Sequence, residues 1–262
     1  IPMINLKIPV GISDFEKIRK NQYYFVDKSG LIEELLNTES NEVTLITRPR
    51  RFGKTLGMSM LASFFDIRRD SSELFRGLKI SQKEELCQKW MNQYPVLFVT
   101  FKDVDGLDFQ SAKEMLRIQI ADRCNEYLCL ISSEKVNEND KAIFRQLADV
   151  VKGDVSDAML KTGIALIMRM LQDYYEKPVI LLLDEYDVPL AKASAHGYYT
   201  EMLEVMRAMI STALKDNPSL RFAVVTGCLR ISRESIFTGT NNFVSDTIFD
   251  TRLNEYFGFL QD

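Results

Sequence analysis

The chain has 262 residues, 46% hydrophobic and 27% charged, and carries a formal net charge of −4, which suits a globular protein with one large α/β domain or two small ones and argues against a broadly basic nucleic-acid surface. His196 is the single histidine and reads as part of a polar loop without a partner, so a multi-histidine metal site is excluded, as is a Ser-His-Asp triad built on any other histidine; Cys87, Cys124, Cys129 and Cys228 have no metal-ligand spacing and are expected as reduced thiols. No stretch has the length and apolarity of a membrane span and the first residues do not read as a signal peptide, so a cytoplasmic protein without a membrane partner is expected.

Residues 1–42 form a lead-in segment that packs on the core. Within it Tyr23-Tyr24-Phe25-Val26-Asp27-Lys28-Ser29 is an aromatic cluster with two open readings. It covers the base of a nucleotide, or it packs its rings into the core. Ser29 is placed to start a helix over Gly30–Asn37.

The stretch 43–55 carries the most information. It reads as a buried strand, a tight loop, and Gly53-Lys54-Thr55 opening a helix, the order that a phosphate-binding P-loop requires. The amides of Arg48-Pro49-Arg50-Arg51-Phe52-Gly53-Lys54-Thr55-Leu56 would converge on phosphate oxygens at a helix N-terminus. Lys54 would reach the terminal phosphates and the Thr55 hydroxyl would bind Mg²⁺. One element departs from the pattern, because Arg48 stands where the first glycine belongs. The bland alternative is a basic surface loop before a helix. Met58, Leu61, Ala62 and Phe65 recur at helical spacing and would face a sheet.

Further along, residues 95–100 read as a second buried strand and about 109–130 as a long helix; 132–140 reads as an exposed polar connection, and 159–176 as one helix with Leu160, Ile164, Ile167, Leu171 and Tyr174 in a stripe. That helix leads into Pro178-Val179-Ile180-Leu181-Leu182-Leu183-Asp184-Glu185, an apolar run of the kind buried on both faces of a parallel sheet. Its two carboxylates are expected at the C-terminal edge, where ligands bind in open α/β sheets. Asp184 would hold Mg²⁺ and Glu185 would orient or activate water; the alternative is a strand ending in a polar turn. A helix over about 199–215, ended by Asn217-Pro218, precedes a strand over 221–227. The alternation predicts an α/β fold, a mostly parallel central sheet between two helical layers.

Several segments together resemble the bacterial AAA-ATPase-like family: Ile8-Pro9-Val10-Gly11-Ile12-Ser13-Asp14-Phe15, Tyr24-Phe25-Val26-Asp27-Lys28, the Arg48–Thr55 loop, Leu183-Asp184-Glu185-Tyr186-Asp187, and Thr226-Gly227 through Ile231-Ser232-Arg233-Glu234-Ser235-Ile236-Phe237-Thr238-Gly239-Thr240-Asn241-Asn242. The resemblance covers nearly the whole chain, and in that family the missing first glycine is usual. It implies a three-layer P-loop NTPase of the additional-strand type over 43–262, with the Thr226 strand between the P-loop strand and the Asp184 strand. It makes Thr226 a polar sensor near the γ-phosphate, and Arg230 and Arg233 candidates for phosphate contacts in cis or from a neighbouring subunit; both arginines could equally pair with acidic loop residues. Many members of the family continue into a nuclease-like PD-(D/E)XK domain. Since the chain starts at Ile1 and stops soon after Tyr256-Phe257-Gly258-Phe259, a longer natural chain is expected.

The residues therefore point to Mg²⁺-dependent ATP hydrolysis by Lys54, Thr55, Asp184 and Glu185, in a module that regulates a C-terminal or partner domain and has the option of homo-oligomerising. A nucleotide-responsive switch with little hydrolysis is the alternative from another class. A nucleic-acid-associated protein using Arg48, Arg50 and Arg51 is a third reading. The absence of an Asn-Lys-x-Asp motif tilts the base toward adenine.

Overall fold

A strand that is apolar on every side chain must be covered on both faces, and the strand at Val179–Asp184 is: all six of its residues are buried. The computed structural model describes residues 6–37, 42–228, 236–237, 243–247 and 253–257. These form five strands, β1 (Val43–Thr47), β2 (Val96–Thr100), β3 (Val179–Asp184), β4 (Leu220–Gly227) and β5 (Phe243–Thr247). The helices are α1 (Phe15–Lys20), α2 (Gly30–Asn37), α3 (Lys54–Phe65), α4 (Ser72–Phe75), α5 (Glu84–Trp90), α6 (Phe109–Glu126), α7 (Glu138–Ala148), α8 (Asp157–Lys161), α9 (Gly163–Tyr175), α10 (Val188–His196) and α11 (Tyr199–Leu214).

The strands form one sheet in the order β2-β3-β4-β1-β5, and every neighbouring pair is parallel. The Thr226 strand, β4, lies between the P-loop strand β1 and the Asp184 strand β3, as the resemblance implies. Alternation along β3 sorts its side chains into two cores. Val179, Leu181 and Leu183 join Val43, Leu45, Leu97, Val99 and Val225 under α6 through α11. Ile180 and Leu182 join Ile46 and Val224 under α1 through α5. Each of these fully buried aliphatic side chains contributes about 1.5–3 kcal/mol relative to an exposed one.

The Phe15 ring of α1 lies tilted against Phe75 with centroids 4.9 Å apart, and the Phe15 amide donates to Ser59 Oγ in α3 at 2.9 Å. Phe25 meets Phe15 edge-on, while Tyr24 stays half exposed. Ser29 does not cap α2 with its side chain: its hydroxyl donates to Asp27 at 2.6 Å and accepts the Ile80 amide at 3.2 Å, so it ties two loops together.

Elsewhere the chain departs from the expected elements in several places; the stretch 132–140 is not wholly an exposed connection, since Val136 is buried, α7 begins at Glu138, and Asp140 is buried and held by Arg169. The stripe over 159–176 runs through two helices, α8 and α9, because the chain turns at Thr162, whose hydroxyl bonds back to the Ala158 carbonyl at 2.8 Å. The helix expected to Leu130 stops at Glu126, and a 3-10 turn over Leu128–Ser132 carries Cys129. His196 belongs to a helix, not a loop; it ends α10 and lies parallel to the Tyr198 ring. β5 is an addition that no apolar run in the sequence predicts. Among the described residues, no helix is long and apolar enough to cross a membrane, and all four cysteines are free.

Candidate functional site

Parity along the strands sets the site. Ile180 and Leu182 face the α3 side of the sheet, so Asp184 falls on that side at the C-terminal end of β3; Val224 puts Thr226 there by the same count in β4. α3 begins directly beyond the loop after β1, and brings Thr55 to the same point. Thr55 Oγ1 donates to Asp184 Oδ2 at 2.9 Å, and Thr226 Oγ1 donates to Asp184 Oδ1. Asp184 is fully buried. A buried carboxylate is tolerated only when its oxygens are hydrogen-bonded, and here both are.

The loop from Arg48 to Gly53 turns back on itself through two left-handed residues, Arg51 at φ 69° and Gly53 at φ 75°. A Cβ at Gly53 would meet nothing within 4 Å, so the demand for glycine there is conformational and not steric. Among the described residues, the amides from Arg51 to Leu56 donate to no protein acceptor outside the helix they begin. They lie at the N-terminus of a 12-residue helix, where such donors suit an anion.

Lys54, at the first position of α3, does not face solvent. It is only 5% exposed, and its ammonium donates to the carbonyls of Arg48 at 2.7 Å and Pro49 at 2.8 Å. Cys228 Sγ at the end of β4 lies 3.5 Å from the same nitrogen. The lysine braces the loop from inside.

Arg48 is the larger departure. It is 2% exposed, and its amide extends the sheet ladder to the Gly227 carbonyl at 3.2 Å. Its guanidinium turns away from the loop mouth, donating to the Thr47 carbonyl at 3.0 Å and to Asn254 Oδ1 at 3.2 Å, with the Phe257 ring 5.9 Å away. Its backbone belongs to the loop; its side chain lies against the C-terminal segment. A buried guanidinium cannot touch a nucleic-acid backbone, which corrects the expectation of a three-arginine surface and leaves Arg50 and Arg51 exposed.

Glu185 follows Asp184 with φ 54°, which takes the chain out of strand geometry at once. Its amide reaches Thr226 Oγ1 at 3.4 Å. Burial, then the neighbouring Asp184 carboxylate, raises its pKa above the ordinary glutamate value, while Lys54 and Arg50 pull the other way. Asp187, two residues on, accepts the Cys228 amide at 3.0 Å and fastens the end of β4 to the turn after β3. Gly227 fits because Tyr186 leaves no room: a Cβ there would stand 2.5 Å from Tyr186 Cε1.

Next to the loop is an apolar pocket of about 340 Å³. The lead-in segment gives it Ile8, Pro9 and Phe25, the loop and α3 give Phe52 and Leu56, and Tyr256 closes one side. Of the residues expected at the site, Lys54, Thr55, Asp184, Glu185 and Thr226 come together, with Pro49, Arg50, Arg51, Phe52, Gly53 and Leu56 around them. The Arg48 side chain does not join them, and Arg230 and Arg233 lie outside the described residues. Asp187, Cys228, Asn254, Tyr256 and Phe257 are neighbours that sequence reasoning missed. Asp187 sits two positions after Glu185 and is within reach of a motif reading; the contact between Arg48 and Asn254 spans 206 positions and leaves no local signal.

A family model described as "Predicted AAA-ATPase" matches residues 9–237. An uncharacterized protein in the vnfD 5' region of Azotobacter chroococcum mcd 1 is 29% identical over 266 residues, which is 99% of this chain and 44% of that protein. The chain thus spans less than half the length of this curated relative. No solved structure matches it.

Proposed function

We propose that this chain, which belongs to the predicted AAA-ATPase family, binds a magnesium–nucleoside triphosphate, ATP by preference, and hydrolyses it. The observation that carries the reading is the bonded set of Thr55, Asp184 and Thr226, beside Lys54 and a loop whose amides are not engaged. Those amides and the α3 N-terminus suit phosphate oxygens. Lys54 would exchange its two loop carbonyls for the terminal phosphates. Thr55 and Asp184 supply hard oxygen donors 2.9 Å apart, a set that fits Mg²⁺, which takes few protein ligands and keeps several waters. When bound, the ion offsets charge on the phosphates. Glu185, with its raised pKa, is suited to accept a proton from attacking water. Thr226 holds the Asp184 carboxylate in one orientation. Arg230 and Arg233 remain our candidates for further phosphate contacts.

The base would enter the 340 Å³ pocket and stack on its aromatic lining, which gives the lead-in segment the role of covering it. We extend the proposal to a cytoplasmic module that regulates a further domain or partner. A second reading, a switch that binds nucleotide and barely turns it over, is favoured by the grip of the Arg48 and Pro49 carbonyls on Lys54.

Calorimetric titration with ATP, GTP and ADP, each with and without Mg²⁺, tests the reading. Saturable, magnesium-dependent binding of a triphosphate is expected, and a protein that takes up none of the three would end it. Phosphate release then separates hydrolase from switch.

A further inference from the structure

Arg48 does more than fill the place of a glycine. It carries a buried cation into the base of the phosphate loop, and burying a guanidinium is costly unless its N–H groups are met. Residues 253–257 help to meet them, through Asn254 Oδ1 at 3.2 Å and the Phe257 ring. That segment sits in a prepared seat. Gly57 in α3 makes room for Phe257, since a Cβ there would lie 3.2 Å from the ring. Gly30 at the start of α2 does the same for Tyr256, where a Cβ would lie 2.9 Å away. The Glu255 carbonyl accepts from Lys28.

The segment therefore touches the phosphate loop through Arg48, helix α3 through Phe257, and the apolar pocket through Tyr256. On the other side of the same residue, the Arg48 carbonyl holds the Lys54 ammonium at 2.7 Å. A phosphate that draws Lys54 outward would loosen its bond to that carbonyl. The backbone it releases is the backbone whose side chain grips Asn254. A change at the loop is thus passed to residues 253–257 over two bonded contacts.

We propose that residues 253–257 are a nucleotide-sensing segment and that Arg48 is the positioning residue that links it to the phosphate loop, with Tyr256 as its contact to the base. This rests on the reading that the loop takes a nucleoside triphosphate. It adds what that reading lacks, a physical route by which occupancy is felt outside the site. Arg48 in place of glycine becomes the functional part, because glycine has no side chain with which to hold the segment.

The test is hydrogen exchange of the whole chain with and without saturating Mg²⁺ and a non-hydrolysable ATP analogue, after calorimetry has fixed the affinity. Exchange in residues 253–257 of the parent is expected to slow by about tenfold on binding, together with the loop amides 51–56. In Asn254→Ala and Phe257→Leu the loop amides should still be protected while 253–257 no longer respond; Arg48→Lys should respond only partly. The readout is the nucleotide-dependent change, which a merely structural contact would not move. Protection of the loop without any change in 253–257 of the parent would overturn the proposal. So would a full response in both Asn254→Ala and Phe257→Leu. A parent that binds no nucleotide fails already at calorimetry, which removes the reading of the site and this inference with it.

Discussion

At position 54 an ammonium group lies almost wholly out of water, and two backbone carbonyls meet it. This sets what Lys54→Ala will do. Removing the donor leaves the carbonyls of Arg48 and Pro49 short of a partner, and the expected cost is about 1–2 kcal/mol of stability. For a domain of this size that corresponds to a fall of roughly 2–8 °C in Tm. The larger effect is on binding, where loss of the charge that meets the terminal phosphates should weaken ATP at least about a hundredfold. Calorimetry on the folded variant decides it; parental affinity in a folded Lys54→Ala would remove the phosphate-loop assignment. Glu185 asks for a different change. Glu185→Gln keeps the size of the side chain but cannot accept a proton, so binding should persist while phosphate release falls by about 10²–10⁴-fold. Equal turnover in parent and variant would take the general-base role from Glu185 and favour the switch.

The elements explain why these side chains meet. β3 and β4 are adjacent and parallel, and their alternation puts Asp184 and Thr226 on one face, toward α3. The end of β4 is then locked by the Asp187 contact to the Cys228 amide and by the close fit of Gly227 to Tyr186. Gly227→Ala should push the two strand ends apart, because its Cβ would stand 2.5 Å from Tyr186 Cε1. A loss of about 1–3 kcal/mol is expected from overpacking, read as a lower midpoint in urea. A variant as stable as the parent would mean that the Tyr186 ring has room to shift. Much of this layer is legible in the sequence. Strands β1 to β4 stand out as apolar runs, and the loop and the Asp184-Glu185 pair come from motif spacing. The place of β4 between β1 and β3 is not contained in periodicity; it comes from the resemblance. β5 escapes because Phe-Val-Ser-Asp-Thr is short and half polar, as an edge strand is free to be. α10 carries its own marks, Pro189 in the first turn and Gly197 in the left-handed cap, but they stand beside the stronger carboxylate motif and are easily passed over. Asn254, Tyr256 and Phe257 lie far from the loop in sequence and near it only after folding, so no spacing rule could bring them forward.

For the molecule as a whole, the question is whether the groups that bind a nucleotide also complete a site that turns it over. The sheet brings Asp184, Glu185 and Thr226 to its C-terminal edge, and the lead-in segment, α2 and Tyr256 line the apolar pocket. Phosphoryl transfer needs more than these: positive charge on the developing oxygens and exclusion of bulk water. Near Glu185, Lys54 and Arg50 supply charge, but Arg50 is exposed, and the Arg48 guanidinium is committed elsewhere. The relative from Azotobacter chroococcum runs to more than twice the matched length. We therefore expect these 262 residues to bind ATP well and hydrolyse it slowly. If a partner or further chain supplies such groups, turnover should rise by about tenfold or more, since ordering a segment over the site or adding one arginine to it has effects of that order or larger. Steady-state phosphate release at matched protein and Mg²⁺ concentration measures this directly. Equal rates would mean that the catalytic site is already complete within these residues, and the sensing segment would then have to report on a nucleotide that the domain hydrolyses unaided.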